Sequence, residues 1–239
     1  MKNSFHSVVF AVLMTASLSS CTFVKVNHSL FDGLDAVGAR IKGNNEFATV
    51  SYTVPQFEKV DIFLPADVVY EMTEGEPSVE IYTSSNLMDY LHFTVEDGCL
   101  NVRADNNERL VCEEMKITLK SRTLNDIRMR GAGDMELPSG IECEALSITV
   151  QGAGDVDVES LTARGDVSLV IQGAGDADIS MLDCGALSVL IQGAGDVTVS
   201  GKCASADLAI QGAGDIDATA LDAEDVSTRV QRGGEIKRR

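Results

Sequence analysis

The residues best placed to do chemistry are five aspartates at one phase of a repeat: Asp134, Asp155, Asp176, Asp196 and Asp215. Each closes the tetrapeptide Gly-Ala-Gly-Asp, at 131–134, 152–155, 173–176, 193–196 and 212–215, and a degraded copy, Arg232-Gly233-Gly234-Glu235, follows. Carboxylates stacked in a row repel one another unless hydrogen bonds or cations compensate. In one reading each Asp accepts backbone N–H bonds at its own turn, as in an Asx-turn. In the other the row holds Ca2+, a hard cation that takes oxygen ligands, by analogy with Gly-Gly-x-Gly-x-Asp nonapeptide rolls. The 19- to 21-residue period and the missing second Gly-rich corner do not fit such a roll, so backbone hydrogen bonding is the favoured expectation.

Acid–base hydrolysis of a glycosidic bond, as β-helical polysaccharide hydrolases perform it, needs paired acids beside a Gly-His-Gly motif. The histidines are His6, His28 and His92, and none sits in such a motif. His92 has no nearby Ser or Cys signature and reads as a solvent-facing strand residue. A catalytic centre breaks symmetry, whereas these aspartates recur identically, so the sequence predicts a non-catalytic module.

Cys21 stands apart from Cys99, Cys112, Cys143, Cys184 and Cys203. An odd set of five leaves at least one free thiol or a bridge to another chain. With no Cys-x-x-Cys and no paired His, zinc has no support. Cys143, Cys184 and Cys203 lie eight residues before their Gln, where the intervening copy has Arg164. Cys184 and Cys203 thus fall in neighbouring coils, either bridged or stacked as reduced thiols in the core.

These residues are carried by a chain of 239 residues, 44% hydrophobic and 5% aromatic, with a formal charge of −18. That is long enough for a sizeable core, and the charge argues against nucleic acid as a partner. Residues 1–20 read as a secretory leader, with Lys2 followed by an apolar run from Val8 to Leu18. Leu18-Ser19-Ser20-Cys21 resembles a bacterial lipobox, which implies diacylglycerol on Cys21 and a membrane as partner. No Asp follows Cys21 to retain the protein at an inner membrane, so outer-membrane anchoring is expected, facing the periplasm or the surface. Residues 21–50 read as the lipid-attached Cys and a polar tether, leading into a first strand, Thr49 to Val54.

The strict period marks stacked units. Leu146, Ile148, Val150, then Val167, Leu169, Ile171, then Leu187, Val189, Ile191 alternate ahead of the corners, and Val156, Val158 and their counterparts resume after them. These are strands with one buried face. A coil of about 20 residues at roughly 3.3 Å each closes around three short strands. The expected fold is all-β, a right-handed parallel β-helix with Gly-Ala-Gly-Asp corners over 130–239 and a basic C-terminal cap of Arg229, Arg232, Lys237, Arg238 and Arg239. Gln151, Gln172, Gln192 and Gln211 should form an amide ladder, and the corner glycines should supply positive φ.

Residues 51–129 read as less regular coils of short strands, among them Val60–Leu64, Val68–Tyr70, Val79–Tyr82, Leu91–Val95 and Met115–Leu119. Three features together resemble a known family: Phe57-Glu58-Lys59-Val60-Asp61-Ile62 with Pro65-Ala66-Asp67-Val68; Glu96-Asp97-Gly98-Cys99-Leu100-Asn101-Val102; and the Gly-Ala-Gly-Asp repeats. The family is the DUF2807 group of "putative auto-transporter adhesin head GIN domains", and the resemblance spans about Phe57 to Glu235. It implies a β-helical, secreted or lipid-anchored bacterial protein more firmly than any activity. With the chain ending at Arg239, no translocator barrel is expected within it.

The functional expectation is an adhesin-like binding module with a protein or glycan ligand. Against sugars, there is no Trp, and only four Tyr could stack on a pyranose. A periplasmic assembly scaffold is the alternative, because open solenoid ends expose strand edges and permit self-association. A β-helical polysaccharide enzyme ranks third.

Overall fold

A computed structural model describes residues 40–105 and 109–239. Alternating apolar and polar residues make each short run a strand with one buried side. In the first half these are β1 (Arg40–Lys42), β2 (Phe47–Thr53), β3 (Lys59–Phe63), β4 (Asp67–Met72) and β5 (Ser78–Ser84). A 3-10 helix (Ser85–Tyr90) leads to β6 (Leu91–Glu96), β7 (Cys99–Ala104), β8 (Arg109–Val111) and β9 (Lys116–Ser121). The repeat half begins with β10 (Asp126–Met129), β11 (Met135–Leu137), β12 (Ile141–Cys143), β13 (Leu146–Val150) and β14 (Val156–Val158). It continues through β15 (Leu161–Ala163), β16 (Val167–Ile171), β17 (Ala177–Ile191), β18 (Val197–Ile210), β19 (Ile216–Val230) and β20 (Ile236–Arg238).

These strands wind into a β-solenoid of about five turns with coils of about 21 residues. Its three faces are parallel ladders. The first runs β3, β10, β13 and β16, then 187–191, 206–210 and 226–230 of the three long strands. The second runs β4, β11 and β14, then 177–179, 197–199, 216–218 and β20. The third runs β12 and β15, then 182–184, 201–203 and 221–223. Inward residues stack along the axis: Ile148, Leu169, Val189 and Leu208 are all 1% exposed or less. The drift in period is absorbed away from the Gly-Ala-Gly-Asp corner: between the second and third faces, where the register shifts at Ile179/Leu182 and again at Thr198/Ser200, and between the third and first, where the coil through Ala163 and Val167 carries one residue more than the coil through Cys143 and Leu146.

The two ends differ. At the N-terminal end, β7 extends the first face beyond β3 and β9 extends the second beyond β4, both in parallel. There the sheet changes sense: β6 pairs antiparallel with β7, β5 with β9, and β2 with β5. Asp97 and Gly98, at φ 50° and 72°, are the two-residue link of the β6–β7 hairpin. Two left-handed residues in succession give the I′ turn whose twist matches such a hairpin. The outermost strands then meet over the core, with the Tyr52 and Phe93 rings 5.3 Å apart.

At the C-terminal end β20 covers the last coil on the second face, pairing with 216–218. Among the described residues, 226–230 of β19 pair only with β18. The inward column that reads Leu169, Val189, Leu208 ends in exposed Thr228, and Val230 is 45% exposed where Ile210 is fully buried.

One expectation is corrected. The glycines of the five complete corners do not lie at positive φ; among the described glycines only Gly98, Gly140, Gly201 and Gly234 do. The corner glycines are required by close approach instead. A Cβ on Gly173 would fall on the carbonyl oxygen of Gly152, and one on Gly154 on that of Gly133, well inside van der Waals contact. Coils in register at about 4.8 Å leave no room for a side chain aimed along the axis.

Candidate functional site

The repeat converts into ladders that run along the axis. Each Asp carboxylate accepts a backbone N–H from the next coil: Asp155 N–H donates to Asp134 Oδ1 at 3.0 Å and Asp176 to Asp155 at 2.8 Å. Asp196 donates to Asp176 at 2.7 Å, Asp215 to Asp196 at 2.8 Å, and Glu235 of the degraded copy to Asp215 at 2.7 Å. The bond therefore links coils, whereas a local Asx-turn was expected. An amide directed at one carboxylate oxygen offsets the repulsion between stacked charges. Among the described residues no group of three or more His, Cys, Asp or Glu side chains is arranged to hold a metal ion.

Exposed alanines 132, 153, 174, 194 and 213 separate this ladder from a second one. Gln151 Nε2 donates to Gln172 Oε1 at 2.7 Å, Gln172 to Gln192 at 3.0 Å, and Gln192 to Gln211 at 3.1 Å. Gln231 occupies the same phase, its N–H donating to Ile210 O as Gln211 N–H donates to Ile191 O. The degraded corner after it hid this residue from the repeat count.

Toward the N-terminal end the Gln column continues through residues that sequence periodicity did not connect. Arg130 N–H donates to Ile62 O, just as Gln151 N–H donates to Met129 O, so Arg130 is next in line. Phe63 pairs in register with Arg103, and Arg103 with His92. Phe63 is 52% exposed, and the Arg130 guanidinium lies 6.0 Å from its ring centroid, within cation–π range. Arg130 also grips the nearly buried Asp61, Nε to Oδ1 at 2.8 Å with a second contact from Nη2 to Oδ2. His92 Nε2 lies 3.1 Å from Asp105 Oδ1. The result is a column from His92 to Gln231 whose own members carry no carboxylate, with Asp61 and Asp105 engaged beside it by Arg130 and His92.

The described cysteines are all free thiols. Cys184 and Cys203 are register partners on the third face, and Cys143 pairs with Ala163 rather than Arg164, because that coil carries one more corner residue. Burial pushes the Cys184 thiol up to about 12, with Cys203 beside it adding to the shift, and the Cys143 thiol up to about 11. Cys203, Cys99 and Cys112 are raised for the same first reason. Protonated, buried thiols are inert as nucleophiles. Cys21 and the leader lie outside the described residues, as do His6 and His28.

A three-faced solenoid with laddered corners and one mixed Arg/Phe/Gln column defines a class of repetitive β protein with extended surfaces. The family model described as "Putative auto-transporter adhesin, head GIN domain" matches residues 56–165 and 159–238, and the chain belongs to that DUF2807 family. Solved structures agree. A "putative lipid binding protein" from Parabacteroides distasonis is 23% identical with TM-score 0.77, over 82% of this chain and 83% of its own. A "putative adhesin" from Parabacteroides merdae is 20% identical with TM-score 0.76, over 84% of both chains. A "putative adhesin" from Bacteroides fragilis is 26% identical with TM-score 0.66, over 83% of this chain and 100% of its own. No functionally curated protein matches the chain. The family and its solved neighbours are described as adhesins or binding proteins rather than enzymes, which points to the cell envelope or surface.

Proposed function

We propose that the protein is a non-catalytic lipoprotein of the outer membrane, held through Cys21, whose solenoid is an adhesin-like module for a protein or glycan partner. The observation that carries this reading is the unbroken column from His92 through Arg103, Phe63 and Arg130 to Gln231. It offers an extended, laterally exposed surface with one aromatic anchor flanked by guanidinium groups. Aromatic and Arg side chains are those most often dominant in binding. Each ladder Asp is committed to a backbone amide of the neighbouring coil, which supports a structural role for the acidic corner.

The test is acyl labelling and membrane fractionation of the wild-type chain and Cys21→Ala, with protease applied to intact and lysed cells. Lipid label and membrane retention that both disappear in Cys21→Ala, with digestion of intact cells, are expected. An unlabelled, soluble wild type would overturn the anchor. Protection until lysis would favour a periplasmic scaffold, the alternative suggested by the open edge of β19.

A further inference from the structure

The three faces of the solenoid differ in what they turn outward. On the second face the outward column is Glu136, Asp157, Asp178, Thr198 and Asp217, and on the third it is Glu142, Thr162, Asp183, Lys202 and Asp222. The first face carries three outward columns of five in the repeat half. Ser147, Ser168, Ser188, Asp207 and Ser227 run along one side and the Gln column along the other, with Thr149, Val170, Leu190, Ala209 and Arg229 between them. Asp207 and Arg229 are the only charged residues of the fifteen, in a chain with 37 acidic and 19 basic residues. A shallow groove of about 540 Å3 follows the Ser column, lined in part by Ser168, Ser188, Asp207 and Ser227. The face thus has an amide ridge along one edge, a groove along the other, and a spine of small and apolar side chains.

We infer that a second copy of the chain docks on this face, side by side with the solenoid axes parallel, about a two-fold axis over the middle column. A two-fold contact needs a patch complementary to itself. Rotation about that column lays the Gln ridge of each copy along the Ser groove of the other. Gln172 and Gln192, which each keep one amide N–H and one acceptor lone pair outside the ladder, then meet hydroxyls. Toward the N-terminal end the same rotation sets Arg130 opposite Asp126, Phe63 opposite Lys59 and His92 opposite Glu96, each twice. Thr149, Val170 and Leu190 meet their own counterparts on the axis. Arg128 is held by its own Asp126 and Asp61 by Arg130, so the charges near the axis are compensated, and Arg229, exposed at the end of the face, can turn into solvent.

Charge and area support the same occupant. Two strongly acidic molecules repel least across the face that is nearly free of charge. Nine strands at about 4.8 Å by five residues at roughly 3.3 Å make a face of about 700 Å2, close to the roughly 800 Å2 per partner of a standard stable interface. The inference deepens the binding-module reading, on which it rests, by naming a second copy as the partner of the column from His92 to Gln231. With parallel axes both N-terminal ends lie at the same end of the pair, so two Cys21 anchors would enter one membrane.

The experiment uses the full chain carrying Leu190→Cys, on the axis, treated with a short bismaleimide. Wild type sets the background of the native thiols, and Thr198→Cys, exposed on the second face, sets that of random collision. A covalent dimer from Leu190→Cys well above both, lost when Val170→Asp is added, is the expected result, together with a dimeric wild type in sedimentation at tens of micromolar. Equal cross-linking from Leu190→Cys and Thr198→Cys, or a wild type that sediments as a monomer, would overturn the pairing and leave the face to a different protein or a glycan. Circular dichroism of the double variant separates loss of pairing from loss of fold. A cross-link in a chain that is neither lipidated nor reached by protease on intact cells would sink the anchored adhesin setting while the pairing stands. A lipidated, surface-exposed chain that stays monomeric would remove the pairing alone.

Discussion

Gly173 lacks a side chain because the Gly152 carbonyl of the neighbouring coil occupies the space a Cβ would need. Overpacking costs about 1–3 kcal/mol, and a clash with backbone, which cannot rotate away, belongs at the upper end. Gly173→Ala should therefore lower the melting temperature by several degrees, measured by thermal circular dichroism, although alanine is a better strand residue than glycine. The thiols make a second prediction. A thiol whose folded-state value is raised keeps its proton longer when folded, so stability is intact below the ordinary thiol value and falls as pH rises above it. For Cys143 and Cys184 the loss should run from about pH 9 toward 11 and 12 respectively. Thermal melts across that range should show a smaller alkaline fall in Cys184→Ala, a tolerable change because Ala223 follows Cys203 in the same register column. At this scale the sequence showed which residues stack but misread why. The Gln and Asp columns follow from period alone, whereas the reason for the glycines lies in a carbonyl about twenty residues away.

Leu169 stands in the middle of an inward column, fully buried between Ile148 and Val189. Removing such a side chain costs about 2–5 kcal/mol. Leu169→Ala should lose that much in urea unfolding with an unchanged denaturant slope, while substitution of exposed Thr228 by Ala should cost little. The three-strand coil was legible because alternation with a period of two is interrupted at fixed intervals, and this pattern has few other packings. The antiparallel end was not. A strand over Thr49–Val54 is legible in the sequence and is β2, but its antiparallel partner β5 lies some thirty residues on, a pairing that no local pattern announces. The Asp97-Gly98 pair was visible as a motif, and its neighbours Leu91–Val95 and Leu100–Val102 were visible as strands. A two-residue Asp-Gly link between such runs is a hairpin signal, and it would have revealed the change of strand sense.

A solenoid is close to one-dimensional, each coil leaning on the coils beside it, so its local stability depends on position along the axis. Beyond the last coil β20 continues the second face, whereas 226–230 pair only with β18 among the described residues, and the N-terminal coils are closed by antiparallel strands. Hydrogen exchange should find amides of 226–230 opening sooner than those of β13 and β16. Uniform protection along the axis would contradict this gradient. The slack corner between the second and third faces has a consequence of its own. The Gly-Ala-Gly-Asp corner cannot admit a residue without breaking its carbonyl contacts and both ladders. The opposite corner already accommodates coils of different length, with exposed Met181 at φ 47° in one and Gly201 at φ 128° in the next. The molecule thus has a rigid seam along which every coil is aligned and a loose seam along which length is free to vary. A lineage could gain or shed residues at the loose seam, or graft a loop there, while the aligned edge kept its spacing.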